Sequence, residues 1–139
     1  MILLDNQTNI DIDLKELEQI ANFLNVTKDI ELLIVDNNTI KELNKEYRGK
    51  DKPTDVLSFP LNNLDFMPLG SIVISSDFAK DAALKFNHSL KDEITLLFIH
   101  GLLHLLGYDH ETDSGQMRQK EEFLIKEFNL PNSLIVRNN

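Results

Sequence analysis

Apolar residues recur along this chain at two periods, and each change of period marks an element boundary. Ile2 to Leu4 reads as a short first strand. Asp13 with Glu16 forms a capping box, after which Leu14, Leu17, Ile20, Ala21 and Leu24 recur at helical spacing up to Asn25. The uninterrupted run Leu32-Leu33-Ile34-Val35 places a buried strand over Glu31 to Asp36. Thr39 with Glu42 is the expected cap of a second helix, with Ile40, Leu43 and Tyr47 on its inner stripe and Gly49 at its C-terminal stop.

The second half follows the same logic. Val56 to Phe59 is a strand between Pro53 and Pro60, and proline's missing N–H assigns it to a sheet edge. Asn62 to Leu69 is a loop in which Phe66 and Met67 read first as core-packing residues, with base stacking or a protein contact as alternatives. Gly70 leads into a strand over Ser71 to Ser75. Ser75 or Ser76 then caps a helix through Phe86, with Phe78, Ala79, Ala82, Ala83 and Phe86 turned inward. Ser89 with Asp92 opens a helix that is apolar nearly all round, so it runs through the middle of the domain. Asp113 with Gln116 opens the last helix, built on Met117, Leu124 and Phe128 and closed by Asn129 and Pro131.

Strands and helices do not alternate strictly enough for a doubly wound sheet. The expected fold is α+β, a small mixed sheet of about four strands packed with about five helices. With 139 residues, 42% of them hydrophobic, and neither repeat nor linker, residues 1–139 read as one domain able to bury a core without disulfides.

Composition narrows the functions. A net charge of −9 argues against a protein that coats nucleic acid non-specifically. Any such contact must be local, and Lys41, Lys45, Arg48, Lys50 and Lys52 supply one candidate. Glu42, Glu46 and Asp51 dilute that segment, which taken alone reads as a solvated helix face. The chain has no cysteine, and its start, Met-Ile-Leu-Leu-Asp-Asn, resembles no export signal, so a cytoplasmic location is the expectation. The longest apolar segment, Ile94 to Leu106, is shorter than the roughly 20 residues a membrane span requires, and no membrane association is expected.

The chemistry concentrates in one place. Three of the four histidines lie in His100-Gly-Leu-Leu-His104-Leu-Leu-Gly-Tyr-Asp-His110. His100 and His104, one helical turn apart, differ by about 40° in azimuth and roughly 6 Å in rise, so both imidazoles can face one ion. Gly107 lets the chain reverse and return His110. This is the H-x-x-x-H-x-x-G-x-x-H frame of the metzincin metalloproteases, except that Gly101 stands where their catalytic glutamate follows the first histidine.

Three neutral imidazoles leave a tetrahedral ion one open position, where it can activate water or polarise a phosphoryl oxygen. Zinc suits this ligand set, while nickel, copper and iron share its preference for imidazole. Two blander readings stand beside it: Asp109 or Glu111 closes the shell around a structural ion, or the histidines are ordinary helix residues with polar partners. Without the glutamate, peptide hydrolysis lacks its usual general base. Cleavage of a phosphodiester depends more on stabilising charge at phosphoryl oxygens, which an ion and an arginine can do.

Three blocks together resemble the bacterial YbeY endoribonucleases, or rRNA maturation factors. They are Asn44-Lys-Glu-Tyr-Arg48 running into Asp51-Lys-Pro-Thr-Asp-Val-Leu-Ser-Phe-Pro60, Gly70-Ser-Ile-Val-Ile-Ser75, and His100 to His110. The resemblance implies a zinc-dependent, single-strand-specific endoribonuclease acting in maturation of the small-subunit rRNA 3′ end and in ribosome quality control. Its implied partners are single-stranded rRNA, the small ribosomal subunit and assembly factors, with no DNA substrate. It places one zinc ion on His100, His104 and His110, and makes Arg48 and His100 the expected catalytic residues. On spacing alone Arg48 is a cation near a helix C-terminus, favoured there by the helix dipole. Lys50 and Lys52 could add backbone contacts, and Tyr108 reads as structural. Ser71 departs from the family, which commonly has aspartate there. The alternatives to this reading are a non-catalytic ribosome assembly factor holding a structural metal and, with less support, a metallopeptidase that pairs its substrate with the Val56–Phe59 edge strand.

Overall fold

The computed structural model describes residues 1–61 and 66–131. In chain order the elements are β1 (Ile2–Asn6), α1 (Leu14–Phe23), β2 (Ile30–Val35), α2 (Asn37–Arg48), β3 (Val56–Pro60), β4 (Gly70–Ser75), α3 (Ser76–Lys85), α4 (Leu90–Leu105) and α5 (Gln116–Glu127). The four strands form one mixed sheet in the order β1-β2-β4-β3, with β1, β2 and β4 parallel and β3 antiparallel to β4. This is the α+β architecture expected, with β3 at an edge.

Strand alternation divides the core between two layers. Ile30, Leu32, Ile34, Ile72 and Ile74 face the larger cluster, which α1, α4 and α5 complete through residues such as Leu17, Ile20, Phe98, Leu102, Met117 and Leu124. Val35, Leu57 and Val73 face the opposite way and meet Ile40 of α2. Helix α4 is buried from Glu93 to Leu103, which its lack of a polar face foretold. No described helix is long and apolar enough to cross a membrane.

Several sequence expectations require correction. Helix α2 is capped by Asp36, not Thr39: the Asp36 carboxylate accepts the Thr39 N–H at 2.8 Å, so the helix starts at Asn37. Aspartate at the end of β2 is the stronger cap and takes the donor first. Tyr47 is 62% exposed and leans edge-on against Phe59, with ring centroids 5.3 Å apart, instead of lying on the inner stripe of α2. Phe86 falls beyond the last turn of α3 and is exposed, whereas Ala79 and Ala83 carry the buried face. Ser75 is the cap of α3.

Helix α5 begins at Gln116 after Gly115, whose φ of 104° only glycine adopts readily. Asp113 still serves its opening, accepting from the N–H groups of Gly115 and Met117, but Gln116 does not close a capping box. The expected core packing of Phe66 is overturned by its 82% exposure; Met67 is half-buried. Residues 62–65 of that loop lie outside the described residues.

Candidate metal centre and its cleft

Helix α4 delivers His100 and His104 on successive turns, and the chain then reverses. Gly107 adopts φ 98° while its N–H reaches the His104 carbonyl at 3.0 Å and the Tyr108 N–H reaches the Leu103 carbonyl at 3.0 Å. That closure returns His110, whose ring centroid lies 5.3 Å from that of His100 and 5.6 Å from that of His104. The ligand atoms of all three lie within 4.8 Å of one another, and no other carboxylate or imidazole among the described residues joins the cluster.

Two of the three ligands already stand at the spacing a tetrahedral ion requires. The Nε2 atoms of His100 and His104 are 3.3 Å apart, close to the edge of a tetrahedron built on bonds of about 2.0–2.1 Å. His100 is also fixed from behind, where its Nδ1 meets the Glu121 carboxylate at 2.8 Å. Glu121 is itself buried, one turn beyond Met117 on the inner face of α5. Such a carboxylate keeps the Nδ1 proton in place and leaves Nε2 with its lone pair directed at the cluster. Burial, then the neighbouring His100 and His110, hold the His104 pKa below its usual 6.5, against the opposing effects of a ring hydrogen bond to the Tyr108 backbone carbonyl and the charge of Asp109. His104 is therefore biased toward the neutral form a ligand requires.

The remaining sequence candidates fall into place around this cluster. A cleft of about 600 Å³ is lined by the three histidines, Arg48, Lys50, Thr54 to Val56, Ser58, Pro60 and the loop from Gly107 to Glu111. Arg48 and Lys50 enter it from the end of α2, where Gly49 ends the helix at φ 71°. Buried Asn44 donates to the Lys52 carbonyl at 2.9 Å and pins that crossing, while Lys52 is not among the lining residues. Tyr108 is half-buried against the core, in keeping with a structural role, and also lines the cleft. Phe66 is not part of the lining. Asp109 and Glu111 line the cleft without joining the ligand cluster; the Asp109 carboxylate instead accepts the Glu111 N–H at 3.1 Å.

Gly101 has a structural reason to lack a side chain. A Cβ there would lie 2.8 Å from Ile72 Cγ2 and 3.2 Å from Ser58 Oγ, so α4 presses against the sheet where a zincin would carry its glutamate. Ser58, missed in the sequence, ties the two together by donating to the Gly101 carbonyl at 3.0 Å. Glu121 was missed as well, although a charge in the Met117–Leu124 stripe signals a buried partner. Ser71 pairs with β2 instead, donating to Glu31 at 3.3 Å.

Fold and site together define an α+β protein whose three-histidine cluster, suited to a metal ion, opens onto a cleft that Arg48 and Lys50 enter from the α2 side and Asp55, Asp109 and Glu111 also line. The family model for Endoribonuclease YbeY matches residues 4–129, and the chain belongs to the YbeY endoribonuclease family. It is 62% identical over 138 residues to the "Endoribonuclease YbeY" of Nautilia profundicola, covering 99% of both chains. It is 63% identical over 140 residues to that of Aliarcobacter butzleri, again with 99% of both covered. Among solved structures, the solution structure of TM1509 from Thermotoga maritima matches with a TM-score of 0.62 at 32% identity, covering 91% of this chain and 88% of that one.

Proposed function

We propose that this protein is a zinc-dependent endoribonuclease that cuts single-stranded rRNA in the cytoplasm, in maturation of the small-subunit 3′ end and in ribosome quality control. One observation carries the reading: a family member brings a three-imidazole ligand set and an exposed arginine to the same cleft. His100, His104 and His110 would hold the ion, with His100 serving as a catalytic residue through that ligation. When bound, the ion supplies Lewis-acid stabilisation of charge on a phosphoryl oxygen.

The chain's own residues supply the rest. Arg48 presents a planar fork that pairs with two phosphate oxygens at once, stabilising the charge that accumulates as the P–O bond breaks. Lys50 adds a cation along the RNA backbone, which a chain of net charge −9 needs locally. Glu121 holds the His100 ring so that Nε2 stays aimed at the cluster. The whole chain acts as one catalytic domain, with ribosomal small-subunit components and assembly factors as partners. A structural ion in a non-catalytic factor is less well supported, since Asp109 and Glu111 leave the ligand set open.

Metal analysis of the purified protein, followed by cleavage of a single-stranded rRNA fragment before and after chelation, tests the proposal. About one zinc per chain is expected, with activity lost on chelation and restored by zinc. Cleavage indifferent to chelation would overturn it.

A further inference from the structure

The outer edge of β3 has a hydrogen-bonding pattern that the metal centre does not explain. The Ser75 N–H reaches the Asp55 carbonyl at 2.9 Å and the Leu61 N–H reaches the Leu69 carbonyl at 3.2 Å. With the register Leu57↔Val73 and Phe59↔Ser71, odd-numbered residues of β3 exchange hydrogen bonds with β4. Val56, Ser58 and Pro60 therefore turn their peptide groups away from the sheet, and all three line the cleft.

That edge is nearly stripped of donors. The Val56 N–H is taken by the Asp55 carboxylate at 2.7 Å, and Pro60 has no N–H. Among the described residues, what remains is one open donor, the Ser58 N–H, beside the carbonyl acceptors of Val56, Ser58 and Pro60. Ser58 is held in place by its hydroxyl, which donates to the Gly101 carbonyl between His100 and His104. The open peptide group thus belongs to a braced strand that lines the same cleft as the three histidines.

The pattern selects its ligand. An extended peptide needs alternating donors and acceptors along the whole edge, and this edge offers one donor. A phosphate accepts only, and the flanking carbonyl oxygens repel it. A hydroxyl both donates and accepts, and matches an N–H beside carbonyls. The geometry points to the Ser58 peptide group as the reader of a ribose 2′-hydroxyl in the strand lying in the cleft, and so as the element that favours RNA over DNA. This rests on the cleft being the RNA site, and it makes Ser58 a specificity-determining position through its backbone, not its side chain.

The test compares one oligonucleotide as all-RNA, as DNA, and as RNA carrying single 2′-deoxy or 2′-fluoro replacements. Cleavage of all-RNA by the wild type checks the underlying reading on its own. One 2′-deoxy position next to the cut should slow cleavage about tenfold, the worth of one to two hydrogen bonds, and 2′-fluoro, which cannot donate, should do the same. Ser58→Ala keeps the N–H and should keep the RNA-to-DNA preference even if the strand loosens. Ser58→Pro removes the N–H and should shrink that preference about tenfold, in cleavage and in fluorescence-anisotropy competition between RNA and DNA. Backbone amide-to-ester replacement at position 58 by semisynthesis gives the same readout should the proline variant fail to fold. Uniform tolerance of 2′-deoxy positions, or an ester variant with undiminished preference, would overturn the inference.

Discussion

The two walls of the cleft are built to opposite specifications. On the α4 wall, His100 is buried, held by a buried carboxylate, and seated in a helix with no room for a side chain at Gly101. On the α2 wall, Arg48 and Lys50 are exposed at a helix end and project into the same space. The difference separates two tasks. Ligands for an ion must be neutral, aimed and immobile, whereas cations for a polyanion do better solvated and adjustable, because much of their contribution is charge. The protein is acidic overall, and under the proposed function these two cations would give RNA its local basic contact.

If that division holds, damage to each wall should read out differently. The largest effect belongs to the α4 wall. His104→Ala should remove stoichiometric zinc and lower RNA cleavage by about a thousandfold or more, with far-UV circular dichroism unchanged because His104 is only half-buried. Retained zinc with full activity would erase the distinction between the walls, and equal cleavage by the variant would point to a contaminating nuclease.

Arg48→Ala should come next, with cleavage down about a hundredfold to a thousandfold while zinc content and thermal midpoint stay at wild-type values. Arg48→Lys should recover only part of the loss, since an ammonium lacks the two-pronged geometry. Loss of zinc in Arg48→Ala would mean that the α2 wall supports the metal site after all.

How far these walls were legible beforehand follows from the range of the interactions. The strands, the buried course of α4 and the edge position of β3 could be read because apolar periodicity and proline are local signals. The histidine cluster could be read because one helical turn and one glycine bring its members together. Asp36 displaced Thr39 as a cap because two competent residues stood three apart, and the stronger of them stands where the chain leaves β2. Tyr47 reads as an inner residue because helical spacing identifies a face but not where the covering layer ends. Glu121 and the parity of the β3 peptide groups depend on long-range packing of α5 on α4 and of β3 on β4, which no local pattern states. The same parity leaves the Val56–Phe59 edge poorly suited to pairing with an extended peptide, since among the described residues it retains a single open donor.

Glu121 permits a finer division within the α4 wall. Glu121→Gln preserves the shape but weakens the acceptor behind His100, and should reduce zinc affinity about tenfold to a hundredfold, measured by competition with a chromogenic chelator. At saturating zinc, cleavage should return to within a few-fold of wild type. Failure to recover would mean that Glu121 does more than orient the ring.

The smallest effect concerns protons, and it tests whether the α4 wall is preorganised before any ion arrives. His104 has its folded pKa pushed below 6.5, first by burial and then by His100 and His110. Below pH 6.5 the unfolded chain takes up a proton at this position while the folded chain resists, so the unfolded state binds more protons and stability falls as pH falls. Above pH 6.5 both states are neutral there and the contribution is flat. In chelator-treated protein, denaturant unfolding between pH 7.5 and pH 5 should therefore show a steeper decline for the wild type than for His104→Gln, which cannot titrate. The subtraction removes the titrating groups remote from His104, which both proteins share. Parallel curves would mean that the imidazole protonates freely in the folded chain, and that the wall acquires its ligand geometry only when the ion binds.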